Sequence, residues 1–228
     1  ANKVWVVNVG DLKPTENQLE YFMDLADDVE GMRSRDIREW AAEKAKRDFG
    51  FNDEDAKEYA DIRMGFDKLT SACKPEFLRY NWGNFSNTAY NDEAQIYLDK
   101  YNSLIERSTA LYNSVDESRK AAFYELQLYP LEASYAYAQK HDGNQRSSDY
   151  AKDGRGQSVN KYARLTQEAS ENFNTSYDKY INLENGKWKG GVKIKNNPAY
   201  GGILDRNFTL DGNMSGTSTS DFCYTSMN

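Results

Sequence analysis

The chain has 228 residues, with 29 basic against 36 acidic side chains and a formal charge of −7. That balance excludes a general nucleic-acid binder, because no basic stripe offsets it. Hydrophobic residues make up 39% and aromatics 14%, including 17 tyrosines, enough for one sizeable core with at most a small appendage.

Val4, Trp5, Val6 and Val7 open the chain as a continuous apolar run. It is too short for a helix and rich in β-branched residues. A strand buried on both faces of a parallel sheet or an α/β barrel reads this way. Asn8, Asp11 and Lys13 follow, ahead of Pro14. In a barrel that end of a strand is where substrates bind. An amide there can bond a substrate hydroxyl or carboxylate without a charge to neutralise, and a lysine can pair with a carboxylate. The same residues also make a sound strand-to-helix turn, with Asp11 accepting backbone amides and Pro14 setting the direction. No second strand of this kind follows. The run is therefore expected to pair outside the chain or lie along the helices, as in a piece cut from a larger protein.

Helical periodicity then takes over. Thr15 can cap a first helix with Leu19, Phe22, Met23 and Ala26 on one face, and Gly31 can stop it. Ser34 can cap a second, lined by Ile37, Trp40, Ala41, Ala45 and Phe49, with Gly50 as its C-terminal glycine. Asn52 or Asp53 can cap a third, with Ala56, Tyr59, Ala60, Arg63 and Phe66 inward. Lys74-Pro75-Glu76 interrupts the pattern, and residues 80 to 91 read as a loop. Ala94, Tyr97, Tyr101, Leu104, Ser108, Leu111 and Val115 then form a bundle-like seam.

Ala122, Leu126, Tyr129, Ala133 and Ala136 share one face of the next helix, which Pro130 is expected to kink or end. Asp142-Gly143-Asn144 reads as a turn, and His141 as a cap at the helix end before it. Asp153-Gly154-Arg155-Gly156 weakens any helix running in from 145. Val159, Tyr162, Ala163, Thr166, Ala169, Phe173, Tyr177 and Tyr180 give the last stripe. From residue 186 onward Gly, Ser, Thr and Asn dominate, so an irregular tail is expected.

Chemistry-bearing clusters are few. One histidine cannot support a multi-histidine metal site or a confident catalytic triad, so no metal and no cofactor are expected. The acidic residues lie mostly on polar helix faces. Trp5 and Trp40 fall on apolar stripes and should be core. Trp82 and Trp188 sit in loops, where they can stack on sugars or plug the end of a bundle. Cys73 and Cys223 can bridge or stay free, and four Asn-X-Ser/Thr sequons occur, among them Asn174-Thr175-Ser176. No stretch approaches the ~20 apolar residues of a membrane helix, and Ala1 leads into the apolar run with no leader, as in a mature or truncated protein.

Trp5-Val6-Val7-Asn8-Val9-Gly10-Asp11-Leu12-Lys13-Pro14 resembles a segment of glycoside hydrolase family 115, the xylan α-1,2-glucuronidases. Arg47-Asp48-Phe49-Gly50, Lys74-Pro75-Glu76, the run from Ala121 to Pro130, and Gly186-Lys187-Trp188 resemble the same family in order. The resemblance fades after Trp188. It implies that residues 1–14 are the closing strand and turn of a catalytic α/β barrel, 15–185 a helical bundle domain, and 186–228 an irregular tail.

The expected fold class is thus mainly α, a multi-helix bundle carrying one barrel strand. The implied activity is removal of glucuronic or 4-O-methylglucuronic acid from glucuronoxylan. The catalytic carboxylates would lie upstream, so the chain alone should be inactive. Asn8, Asp11 and Lys13 are the candidate substrate contacts. Implied partners are glucuronoxylan, the remaining barrel and a homodimer mate, with no nucleic acid and no membrane, in an extracellular or periplasmic setting. The alternatives are a non-catalytic helical scaffold or dimerisation module, and an autonomous helical binding protein.

Overall fold

The computed structural model describes residues 4–7, 16–72, 85–187 and 189. Asn8, Asp11 and Lys13, Trp82, Trp188, both cysteines, Lys74-Pro75-Glu76 and the tail from residue 190 lie outside them. Among the described residues the fold is a mainly α bundle with no strand. The helices are α1 Glu16–Asp27, α2 Val29–Ser34, α3 Ile37–Phe49, α4 Asp53–Ala72, α5 Glu93–Ser114, α6 Lys120–Phe123, α7 Tyr129–Lys152, α8 Gly156–Ile181 and the short turn α9 Leu183–Gly186. A π-helical turn, Tyr124–Leu128, joins α6 to α7.

The expected seams of α4, α5 and α8 are the core. Ala94, Tyr97, Tyr101, Leu104, Ser108, Leu111 and Val115 are all buried, as are Ala56, Tyr59, Ala60, Arg63 and Phe66. Rings carry much of the packing. Phe49 meets Phe51, Tyr59 and Phe123 with centroids 5.0–5.6 Å apart, within the range where edge and tilted pairs are favourable. Asn52 proves to be the cap of α4, its Oδ1 accepting from the Glu54 and Asp55 amides at 2.9 Å. Asp36, not Ser34, caps α3, accepting from Arg38 N at 2.8 Å.

Four expectations are corrected. First, α1 leaves its apolar stripe half-buried or exposed. Leu19, Phe22 and Ala26 are not buried and Met23 is 56% exposed. The inward stripe is Asn17, Glu20, Tyr21, Asp24 and Leu25, again at helical spacing. Asp24 accepts from Trp40 Nε1 at 2.7 Å, and the Tyr21 and Trp40 rings meet edge-on at 5.0 Å. Polar pairing and aromatic contact outweigh the larger apolar face, which is left outward. Second, Gly31 does not stop a helix. Asp28 breaks it, and its carboxylate accepts from Gly31 N at 3.0 Å to start α2.

Third, α7 runs straight through Asp142-Gly143-Asn144. Gly143 is there because α8 passes close by. A Cβ would stand 2.6 Å from Thr166 Oγ1 and 3.1 Å from the Tyr162 carbonyl. The real break is Gly154, at φ +70°, which turns α7 into α8. His141 is therefore mid-helix and buried, edge-on to Tyr137 at 4.6 Å, rather than a cap. Fourth, Trp5 is 60% exposed rather than core, its ring against Phe22 at 5.1 Å; residues 4–7 form no strand within the described residues, as the expectation of pairing outside the chain allows. With no neighbouring strand among the described residues, their backbone has nothing to pair with.

Candidate functional site

The polar segment that carries Asn8, Asp11 and Lys13 enters the described fold at Glu16, the first residue of α1. The chemistry of that entry point is what the structure offers as a site. Asn17, in the first turn of α1, is buried, and its Nδ2 donates to the Leu126 carbonyl at 3.0 Å. Leu126 lies inside the π turn, where the Tyr129 amide reaches back to Tyr124 O. A proline amide has no hydrogen to give, so Pro130 cannot serve the carbonyl four residues before it. That carbonyl is Leu126, and the Asn17 side chain takes the place of the missing donor.

This turn absorbs the expected kink. The extra residue of a π turn carries the chain past Pro130 without ending the helix. It also shifts the buried face. Ala122 is exposed and Leu126 half-buried, while Phe123, Tyr124, Glu125, Gln127, Leu128 and Tyr129 are buried.

Around the turn sit several tyrosines whose phenols are strongly perturbed. Tyr59, fully buried beside the Asn17 side chain, has its phenol pushed up to about 12 by burial. Tyr180 stacks on Tyr129 at 4.3 Å, and both phenols are pushed up chiefly by burial. The nearby Glu125 and Glu16 charges add to the effect at Tyr180. Tyr124 is raised by burial and then by Glu132, whose Oε2 accepts from the Tyr124 hydroxyl at 2.7 Å and from Ser176 Oγ at 2.8 Å. The Lys179 ammonium lies 3.7 Å from the Tyr124 ring centroid. These phenols stay neutral at physiological pH. Tyr124, Tyr129 and Tyr180 pack α8 against the π turn.

Arg47-Asp48-Phe49-Gly50 works beside this junction. Burial pushes the Asp48 carboxyl up, but hydrogen bonds from Arg47 and Lys44 outweigh it and hold it below the usual range. Lys44 Nζ also donates to Glu20 at 2.6 Å, and Arg47 pairs with Glu20, so four charges pin α1 to α3. Gly50 closes α3 at φ +71°, a conformation costly for any residue with a Cβ. Two of the sequence motifs singled out above thus prove to be positioning devices.

Three comparisons bear on identity. Residues 1–77 match the family model of glycosyl hydrolase family 115. A solved structure of a family GH115 4-O-methyl-α-glucuronidase, described as having specificity for decorated arabinogalactans, superposes with a TM-score of 0.66 at 25% identity. Both matches are to glycoside hydrolase family 115, the family model over residues 1–77 alone. The superposition covers 89% of this chain and 26% of that relative, so the chain spans about a quarter of the length of the glucuronidase it matches. No curated protein matches it.

Among the described residues, no group of three or more His, Cys, Asp or Glu is placed to hold a metal ion. No described helix is long and apolar enough to cross a membrane.

Proposed function

We propose that this chain serves an extracellular or periplasmic α-glucuronidase that hydrolyses glucuronic or 4-O-methylglucuronic acid side chains from glucuronoxylan. In this reading residues 1–14 are the closing strand and turn of the catalytic barrel, 15–185 the helical domain that follows it, and 186–228 a tail. The observation that carries the reading is the superposition of 89% of the chain on a family GH115 4-O-methyl-α-glucuronidase.

The outward face of α1 supports the domain arrangement. Val4, Trp5, Val6, Val7 and Met23 are exposed together with a half-buried Phe22. Exposed apolar side chains grouped in this way suit an interface, and a barrel wall is the occupant that the strand-like run fits. Asn8, Asp11 and Lys13 would then stand at the C-terminal rim of the barrel. There the Lys13 ammonium pairs with the uronate carboxylate and the Asn8 amide bonds a sugar hydroxyl. The paired carboxylates that hydrolysis uses come from outside this chain.

The test is release of 4-O-methylglucuronic acid by the enzyme containing this chain, measured on glucuronoxylan and on glucuronate-decorated arabinogalactan. Release from glucuronoxylan supports the reading. Release from arabinogalactan alone overturns the choice of polymer, and release from neither overturns the activity.

A further inference from the structure

A groove of about 490 Å³ runs between α4 and α5, away from the junction described above. Its volume falls in the range of small-molecule sites. Leu69, Tyr97 and Leu104 form a buried apolar floor, and Ile96 stays exposed beside them. Lys68 on α4 and Lys100 on α5 stand at its rim, both exposed. Neither ammonium has an ion-pair partner among the described residues.

The other charges lining the groove are already engaged. Arg107 is held in a fork by Glu58, with Nε–Oε1 at 2.6 Å and Nη2–Oε2 at 2.8 Å. Glu93 accepts from Ser86 N at 3.2 Å. In a chain of net charge −7, two lysines without an ion-pair partner flank an apolar cleft whose lining also includes the Glu93 carboxylate.

We propose that this groove is a second carbohydrate subsite, binding a uronic-acid-bearing oligosaccharide with its carboxylate between Lys68 and Lys100. The CH faces of a pyranose cover the apolar floor, and the carboxylate supplies the charge that the rim lacks. The proposal rests on the glucuronidase reading for its choice of sugar, but it concerns binding rather than hydrolysis. A site of this kind would hold the acidic polymer while a neighbouring side chain is removed.

Isothermal titration of the 228-residue chain with a 4-O-methylglucuronic acid-bearing xylo-oligosaccharide tests it, with the matching neutral oligosaccharide as control. The acidic ligand should bind at least tenfold more tightly than the neutral one. Lys68→Gln with Lys100→Gln should abolish that preference, and Ser103→Phe, which fills the groove, should abolish binding. All three side chains are exposed, so an unchanged Tm confirms that the variants fold. Equal affinity for the two sugars, no binding of either, or unaltered binding in the lysine double variant would each overturn the subsite. So would binding of an acidic amphipathic peptide in the groove in preference to the sugar. Hydrolysis by the whole enzyme is a separate measurement, so failure here leaves the glucuronidase reading standing, and the converse also holds.

Discussion

Asn17 and Pro130 are coupled through an atom that belongs to neither. The Asn17 Nδ2 donates at 3.0 Å to Leu126 O, the carbonyl that the Pro130 nitrogen cannot serve. Helix α1 is thereby tied to the π turn that joins α6 to α7.

Removing the donor should expose the coupling. Asn17→Ala leaves a part-buried carbonyl without this partner, which costs about 1–3 kcal/mol. Pro130→Ala restores a backbone amide within reach of Leu126 O. In that background Asn17→Ala should cost clearly less, because contacting sites are not additive. Denaturant titration of the two single variants and the double variant measures the difference. Equal costs in both backgrounds would show that Asn17 does not stand in for the proline.

Much of this fold was legible in the sequence. The α5 seam from Ala94 to Val115 is buried at every position named, because one unbroken helix keeps one period. Legibility failed where the period is not kept. The π turn adds a residue, so Ala122 and Tyr129 could not share a face as 3.6-residue spacing implied. It failed again at α1, where Asp24 and Glu20 gain more from Trp40 and Lys44 than Met23 gains from burial. Gly143 looked like a turn because close helix approach and chain reversal ask for the same residue. The family motifs were visible, but that Asp48 and Gly50 fasten helices together was not, since an ion-pair network across two helices has no local signature. Asn8, Asp11 and Lys13 remain sites read from sequence and resemblance.

Gly143 offers a test in which two principles predict opposite signs. Helix propensity alone favours Gly143→Ala by up to about 1 kcal/mol. The 2.6 Å approach to Thr166 Oγ1 and the 3.1 Å approach to a backbone carbonyl predict a loss instead, of about 1–3 kcal/mol for overpacking. Thermal unfolding should show destabilisation. Gly154→Ala has open space but a φ of +70°, so its loss should come from backbone strain, at about 1–2 kcal/mol. Thr166→Ser, which removes a methyl group but keeps the hydroxyl, should not rescue Gly143→Ala.

His141 predicts how stability depends on pH. Burial, then the neighbouring Lys140 charge, lowers its pKa to about 3, so the folded chain keeps it neutral. The unfolded chain binds a proton below about 6.5. Between those values the unfolded state binds more protons, so stability rises with pH. It is fully present above about 6.5 and falls as pH drops, by at most about 1.4 kcal/mol per unit from this one group. Carboxylates held low by partners, such as Asp48 and Asp92, add their loss only at lower pH. Urea unfolding from pH 7 to 5 should therefore show a slope that His141→Phe flattens. An identical slope in the variant would remove His141 as its source.

The outward face of α1 should matter only where a partner covers it. Met23→Glu replaces a 56% exposed side chain. In the isolated chain its effect on stability should stay within about 0.5 kcal/mol. In the whole enzyme it buries a charge against an apolar surface and should lower the Tm or the yield of folded protein. Differential scanning of both forms separates the cases, and an unaffected whole enzyme would remove this face as the barrel contact.

Asn8 carries the most direct functional test. If its amide bonds the sugar at the barrel rim, Asn8→Ala in the whole enzyme removes that bond and leaves the fold nearly untouched. One such hydrogen bond contributes about 0.5–1.5 kcal/mol, and up to about 3 when the partner is charged. That corresponds to a drop of roughly twofold to hundredfold in kcat/KM. If Asn8 instead shapes the strand-to-helix turn, the opposite pattern follows, with a lower Tm and an intact specific activity of the folded fraction. Measuring Tm and kcat/KM on the same variant distinguishes the two roles. A marked loss of Tm with unchanged kcat/KM would take Asn8 out of the substrate contacts and leave Lys13, as the nearer match for a carboxylate, to be tested by Lys13→Gln.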